Sequence, residues 1–141
     1  MSVLQASGGS PEPCASRLES LLEQFDLARL RRQMGFTLSS GERRRVEIAR
    51  ALAASPCYML LDEPFTGVDP IAVGELQEIV IGLKQAGLGV LITDHNVRDT
   101  LSIVDRAYIM HEGRILVSGT AQEISEDSAA RQVYLGDRFS L

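Results

Sequence analysis

Tyr58-Met59-Leu60-Leu61-Asp62-Glu63-Pro64 is an unbroken apolar run closed by two carboxylates and a proline. A short run without polar alternation suits a strand buried on both faces of a parallel sheet. Its acids then fall just past the carboxyl end. Downstream, Gly67-Val68-Asp69-Pro70 is a turn, and Ile71 to Ala86 shows helical spacing at Val73, Leu76, Ile79, Val80 and Leu83, with Gly87 as C-cap. Leu88 to Thr93 is a second apolar strand followed by Asp94-His95, after which Asn96 caps a short helix through Val104. Ala107 to Met110 and Arg114 to Val117 read as strands joined at Glu112-Gly113, a hairpin signal. Past Gly119-Thr120, two short helical stretches lead to Phe139-Ser140-Leu141.

Upstream, Ser39-Ser40-Gly41-Glu42 carries the S-x-x-E spacing of a capping box and opens a helix running to about Ala54, which Pro56 stops. Before it, Leu18, Leu21, Leu22 and Phe25 share one face of a helix beginning near Ser16; Leu30 and Met34 continue the apolar pattern until Gly35 breaks it. Ser7 to Pro13 has the composition of a linker, so residues 1–15 are expected to form an unstructured leader. Strand, helix, strand, helix and hairpin in that order predict an α/β fold with a mostly parallel sheet. Ligands of such sheets gather beyond the carboxyl ends of the strands, where Asp62, Glu63 and His95 all fall.

The length of 141 residues suits about one domain, and no apolar run approaches the roughly 18 residues of a membrane span. A formal charge of -5 argues against a general nucleic-acid binder. Arg43-Arg44-Arg45 is the local exception and reads as a solvated or salt-bridged face beside Glu42 and Glu47. Cys14 and Cys57 lie far apart with no neighbouring ligand, so neither a zinc site nor a disulfide framework is predicted.

The chemistry-bearing residues have a local reading and a collective one. Asp62 and Glu63 offer one carboxylate for Mg²⁺ and another to polarise an attacking water, as phosphoryl transfer requires. Alone, an acidic pair after a strand equally well just faces solvent. His95 can donate to a phosphate oxygen, a reading that gains weight only beside Glu63. Ser39, Ser40 and Gly41 open a helix whose unpaired N–H groups form an anion site, although the same residues also suit a plain cap. Asp69 either reaches across a subunit contact or stabilises its own turn.

Taken in order, these residues resemble the ABC transporter ATPase family. Leu38 to Glu42 resembles its signature, Met59 to Glu63 its Walker B strand and following glutamate, Gly67 to Asp69 its D-loop, and His95 its switch histidine. The resemblance implies a partial P-loop NTPase fold with ATP and Mg²⁺ as cofactors: Asp62 holds the metal, Glu63 is the general base and His95 contacts the γ-phosphate. Ser39, Ser40, Gly41, Glu42 and Asp69 then face the ATP of a second ATPase subunit. Within the family the likeness is closest to the lipopolysaccharide-export branch, with branched-chain amino-acid importers as the nearest alternative. It implies an inner-membrane permease pair of the LptF/LptG type as partner, and a location on the cytoplasmic face of that membrane. On this reading residues 16–37 are a remnant of the helical subdomain, 38–118 the C-terminal part of the ATP-binding domain and 119–141 an extension. Ser40 stands where the family usually has glycine. No Gly-x-x-x-x-Gly-Lys-[Ser/Thr] phosphate loop occurs in the 141 residues. The expectation is therefore a truncated enzyme, inactive alone, or a subunit lending its signature to a complete partner.

Overall fold

The computed structural model describes residues 11–136, in two units that divide between Thr93 and Asp94. In the first unit, α1 spans Pro11–Gln24 and begins earlier than Ser16, so Pro11 to Ala15 of the expected leader are helical. Prolines are tolerated there because first-turn N–H groups lack intrahelical acceptors in any case. The earlier part of that leader, Met1 to Ser10, lies outside the described residues. Leu21, Phe25, Leu27 and Leu30 are buried, whereas Met34 is exposed, contrary to its place in the apolar pattern. The pattern fails because the helix stops: Asp26 turns left-handed at φ 50°, and 3₁₀ turns follow at Ala28–Leu30 and Gly35–Thr37.

Helix α2, Ser40–Leu52, buries Gly41, Arg45, Ile48, Ala49 and Leu52 along one stripe. It ends before the expected Ala54, where Ser55 adopts φ 51° ahead of Pro56. Strand β1, Tyr58–Asp62, then leads through a turn to α3, Pro70–Gln85, and on to β2, Gly89–Thr93. Gly87 at φ 85° closes α3 as expected: its N–H reaches Lys84 O at 2.9 Å and the Leu88 N–H reaches Leu83 O at 3.1 Å. Those bonds form a Schellman motif that satisfies two otherwise orphaned carbonyls. Leu76, only 1% exposed, anchors α3, and its full burial is worth about 2 kcal/mol.

Strands β1 and β2 pair in parallel, Tyr58 opposite Gly89 through Asp62 opposite Thr93. The expectation that this strand is buried on both faces is not met. Met59 and Leu61 are buried, but Tyr58 and Leu60 are 78% and 74% exposed, because among the described residues nothing of this unit covers that face. Tyr58 lays its ring against Gly89, where a Cβ would come within 2.4 Å of it.

The second unit opens with Asp94-His95. Asn96 caps α4, Val97–Leu101, with its side chain accepting the Asp99 N–H at 3.4 Å. The helix ends short of Val104, and Ser102 turns its hydroxyl back to Asp99 O at 2.8 Å. Strands β3, Ala107–His111, and β4, Arg114–Gly119, form the expected antiparallel hairpin. Both turn residues, Glu112 and Gly113, have positive φ, as a right-twisted two-residue hairpin requires. Helix α5, Ala121–Glu126, follows a Thr120–Glu123 capping box, and Ser128–Ala130 continues into a single π turn, Arg131–Leu135. Ile124 and Ala130 are fully buried with Leu101 and Ile109, and Ala121 and Leu135 pack against the same core. The predicted tail at Phe139 to Leu141 lies outside the described residues. Among the described residues no helix is long and apolar enough to cross a membrane.

Candidate functional site

The start of α2 is built as the sequence predicts. The Glu42 N–H donates to Ser39 Oγ at 3.2 Å, and the Ser39 N–H donates to Glu42 Oε2 at 3.0 Å. Glu42 also meets Arg29, whose Nη1 lies 2.9 Å from Oε1. Its carboxyl is held below its ordinary value of 4.5, first by the Ser39 N–H and then by Arg29. Gly41 is required by packing as well as by any close approach of an anion, because a Cβ there would come within 2.7 Å of Ala72 Cβ. Asp69 caps α3 by accepting the Ala72 N–H at 3.0 Å. Ser39, Gly41, Glu42 and Asp69 consequently line one open cleft of about 220 Å³, together with Arg29 and Arg45. Ser40 is exposed at the first position of the helix.

Asp62 and Glu63 lie at the carboxyl edge of the parallel pair, both exposed. Thr93, opposite Asp62 in the register, donates its hydroxyl to Asp62 Oδ1 at 2.5 Å. A lone carboxylate beside a hydroxyl suits Mg²⁺, which keeps several waters and completes its shell with phosphate oxygens. No cluster of three His, Cys, Asp or Glu ligands occurs among the described residues, so an all-protein metal cage is not what this edge offers. Glu63 takes φ 44°, a left-handed conformation that a non-glycine residue adopts at some energetic cost. Its backbone is fixed on both sides: its N–H reaches Thr93 O at 2.7 Å, and its carbonyl accepts from Arg44 Nη2 at 3.1 Å. Thr66 Oγ1 donates to Glu63 Oε2 at 3.1 Å, aiming the carboxylate. Strained backbone held in place by several bonds recurs at functional sites.

His95 belongs to the second unit. Its side chain is 65% exposed, and Nδ1 lies 3.8 Å from Oδ1 of the fully buried Asp94 carboxylate. That same oxygen accepts the Asn96 N–H at 2.8 Å.

The arginine run departs from expectation in one respect. Arg44 does pair with Glu47 at 2.9 Å, but Arg45 is buried and pairs with Glu75 at 2.7 Å, with its Nε unbonded among the described residues. Its spacing to Ile48, Ala49 and Leu52 is the signal that places it on the buried stripe. Arg29, Thr66 and Thr93 were not singled out by sequence: Arg29 and Thr93 act on partners in separate segments, and Thr66, although in the same turn as Glu63, is of a residue type common in turns.

The sequence profile described as ABC transporter matches residues 3–66. The structure superposes on the ADP conformation of an ATP-binding cassette of an ABC transporter with a TM-score of 0.81 at 28% identity, covering 92% of this chain and 52% of that one. The chain carries part of an ABC transporter ATPase domain. Among curated relatives it is 55% identical to the lipopolysaccharide export system ATP-binding protein LptB of Acidithiobacillus ferridurans, over 100% of this chain and 58% of the relative. It is 53% identical to LptB of Escherichia coli K12, over 100% of this chain and 59% of the relative. The chain thus spans a little under three fifths of the length of these relatives and about half that of the solved cassette.

Proposed function

We propose that this chain acts in the ATP-binding and ATP-hydrolysing subunit of an ABC transporter, and that the transporter exports lipopolysaccharide from the inner membrane. The observation that carries the reading is the tie between the start of α2 and the acidic edge, made where Arg44 of α2 bonds the Glu63 carbonyl. It couples an anion-binding helix start to an aimed carboxylate within one unit. In the proposed mechanism Asp62 would hold Mg²⁺, whose charge would offset that of the transferring phosphoryl group. Glu63, aimed by Thr66, takes the proton of the attacking water, and His95 contacts the γ-phosphate. Ser40 and Gly41 present N–H groups and the positive helix end, and Ser39 its hydroxyl, to the ATP of a second subunit. Glu42 braces that turn, and Asp69 lies beside it in the same cleft.

The test is affinity capture of the tagged chain from inner membranes with a permease pair of the LptF/LptG type co-expressed. Recovery of that pair together with a complete LptB-type subunit supports the export reading. Recovery of an amino-acid importer permease in its place overturns it.

A further inference from the structure

We propose that Arg29 is a positioning residue for the nucleotide-facing turn Ser39 to Glu42, holding the Glu42 carboxylate in its cap and cancelling its charge where an incoming phosphate passes. The inference rests on the nucleotide reading of that turn. Glu42 has no spare oxygen: Oε1 is taken by Arg29 at 2.9 Å and Oε2 by the Ser39 N–H at 3.0 Å. Its side chain is only 16% exposed, so the carboxylate is committed to bracing the turn rather than reaching for ligand. Arg29 is placed for this by its own segment, a 3₁₀ turn anchored by Leu27 before it at 3% exposure and by its own Leu30 at 6%.

The remaining charges of the cleft have other engagements. Arg45 is paired with Glu75 at 2.7 Å, and Asp69 caps α3. Asp26 lies 3.7 Å from Arg29 on its far side. Arg29 is therefore the cation that balances Glu42. Without it, a carboxylate stands uncompensated beside the helix start, where it repels an arriving anion and competes with it for the positive end of the dipole. With the Arg29 side chain 57% exposed, the ion pair adds little to global stability, so its effect is read in the cleft.

The experiment measures ATP-dependent association of the chain with a complete LptB-type subunit. Arg29→Ala is expected to weaken it about five- to tenfold, with Arg29→Lys retaining most of it. The double variant Arg29→Ala/Glu42→Gln is expected to recover much of the loss, because the amide oxygen still accepts the Ser39 N–H but carries no charge. A double variant as weak as Arg29→Ala overturns the proposal, as does a single variant that binds like the parent. A second arm needs no nucleotide: NMR of Glu42 and of the Ser39 amide in the chain alone. Arg29→Ala should move the Glu42 titration upward and speed Ser39 exchange. If neither moves, the positioning role is wrong. If both move while the parent shows no ATP-dependent association, the positioning role stands and the nucleotide reading falls.

Discussion

Arg44 Nη2 donates to the backbone carbonyl of Glu63 at 3.1 Å while its Nη1 holds Glu47 at 2.9 Å, so one side chain of α2 clamps the loop that carries the proposed base. The clamp spans 19 residues of sequence and secures a residue with φ 44°. Arg44→Ala is expected to raise amide exchange from Glu63 to Val68 selectively. Its effect on global stability should be small, about 0.5–1 kcal/mol, because the bonds are partly exposed. Site-resolved hydrogen exchange checks this, and uniform exchange across α2 and the loop would contradict it.

Gly41→Ala places a Cβ 2.7 Å from that of Ala72, at the contact between the starts of α2 and α3. Overpacking there should lower stability by about 1–3 kcal/mol in urea denaturation. Adding Ala72→Gly should recover part of the loss, since it opens the space while introducing a helix glycine that costs about 1 kcal/mol. No recovery in the double variant would mean that the loss has another origin.

Arg45 and Glu75 are unequal partners, with side chains 11% and 49% exposed. Glu75→Ala leaves a largely buried guanidinium without its counter-charge and is expected to lower stability by about 1–3 kcal/mol, less than for a fully buried pair because water reaches the Glu75 side. Arg45→Met combined with Glu75→Gln should be closer to the parent than Glu75→Ala alone. Denaturation midpoints decide the order.

Elements set by local chemistry were legible in the sequence: the Ser39–Glu42 capping box, the Asn96 cap, the Gly87 stop, the Glu112-Gly113 hairpin and the acids at the strand end. Each depends on residues within a few positions of one another. What was not legible depended on distant chain. The open face of Tyr58 and Leu60 follows from what packs against β1, which its apolar run alone does not specify. The pairing of Arg45 with Glu75 joins residues 30 apart, and that of Arg29 with Glu42 links a 3₁₀ turn to a separate helix. The proposed motif positions are read from residue type and order, whereas the residues that aim them are not, because an arginine or threonine has no periodic signature of that role.

Glu42 and Glu123 each close a capping box, and both carboxyls lie below their ordinary value of 4.5, chiefly through the N–H groups of Ser39 and Thr120. A depressed folded-state pKa contributes stability above the unfolded value and loses it as pH falls through the folded one. Carboxylate titration by NMR should give midpoints below 4.5 for both residues, with protection of the Ser39 and Thr120 amides lost over the same range. Midpoints at or above that value would contradict the capping account.

The most direct test of the central claim, that the start of α2 completes a nucleotide site, is sedimentation of the chain with a complete LptB-type subunit whose own catalytic carboxylate is replaced by an amide so that ATP persists. The account predicts a complex with ATP and Mg²⁺ that dissociates with ADP and is weakened by Ser39→Ala. Equal association with ATP, with ADP and without nucleotide would contradict it.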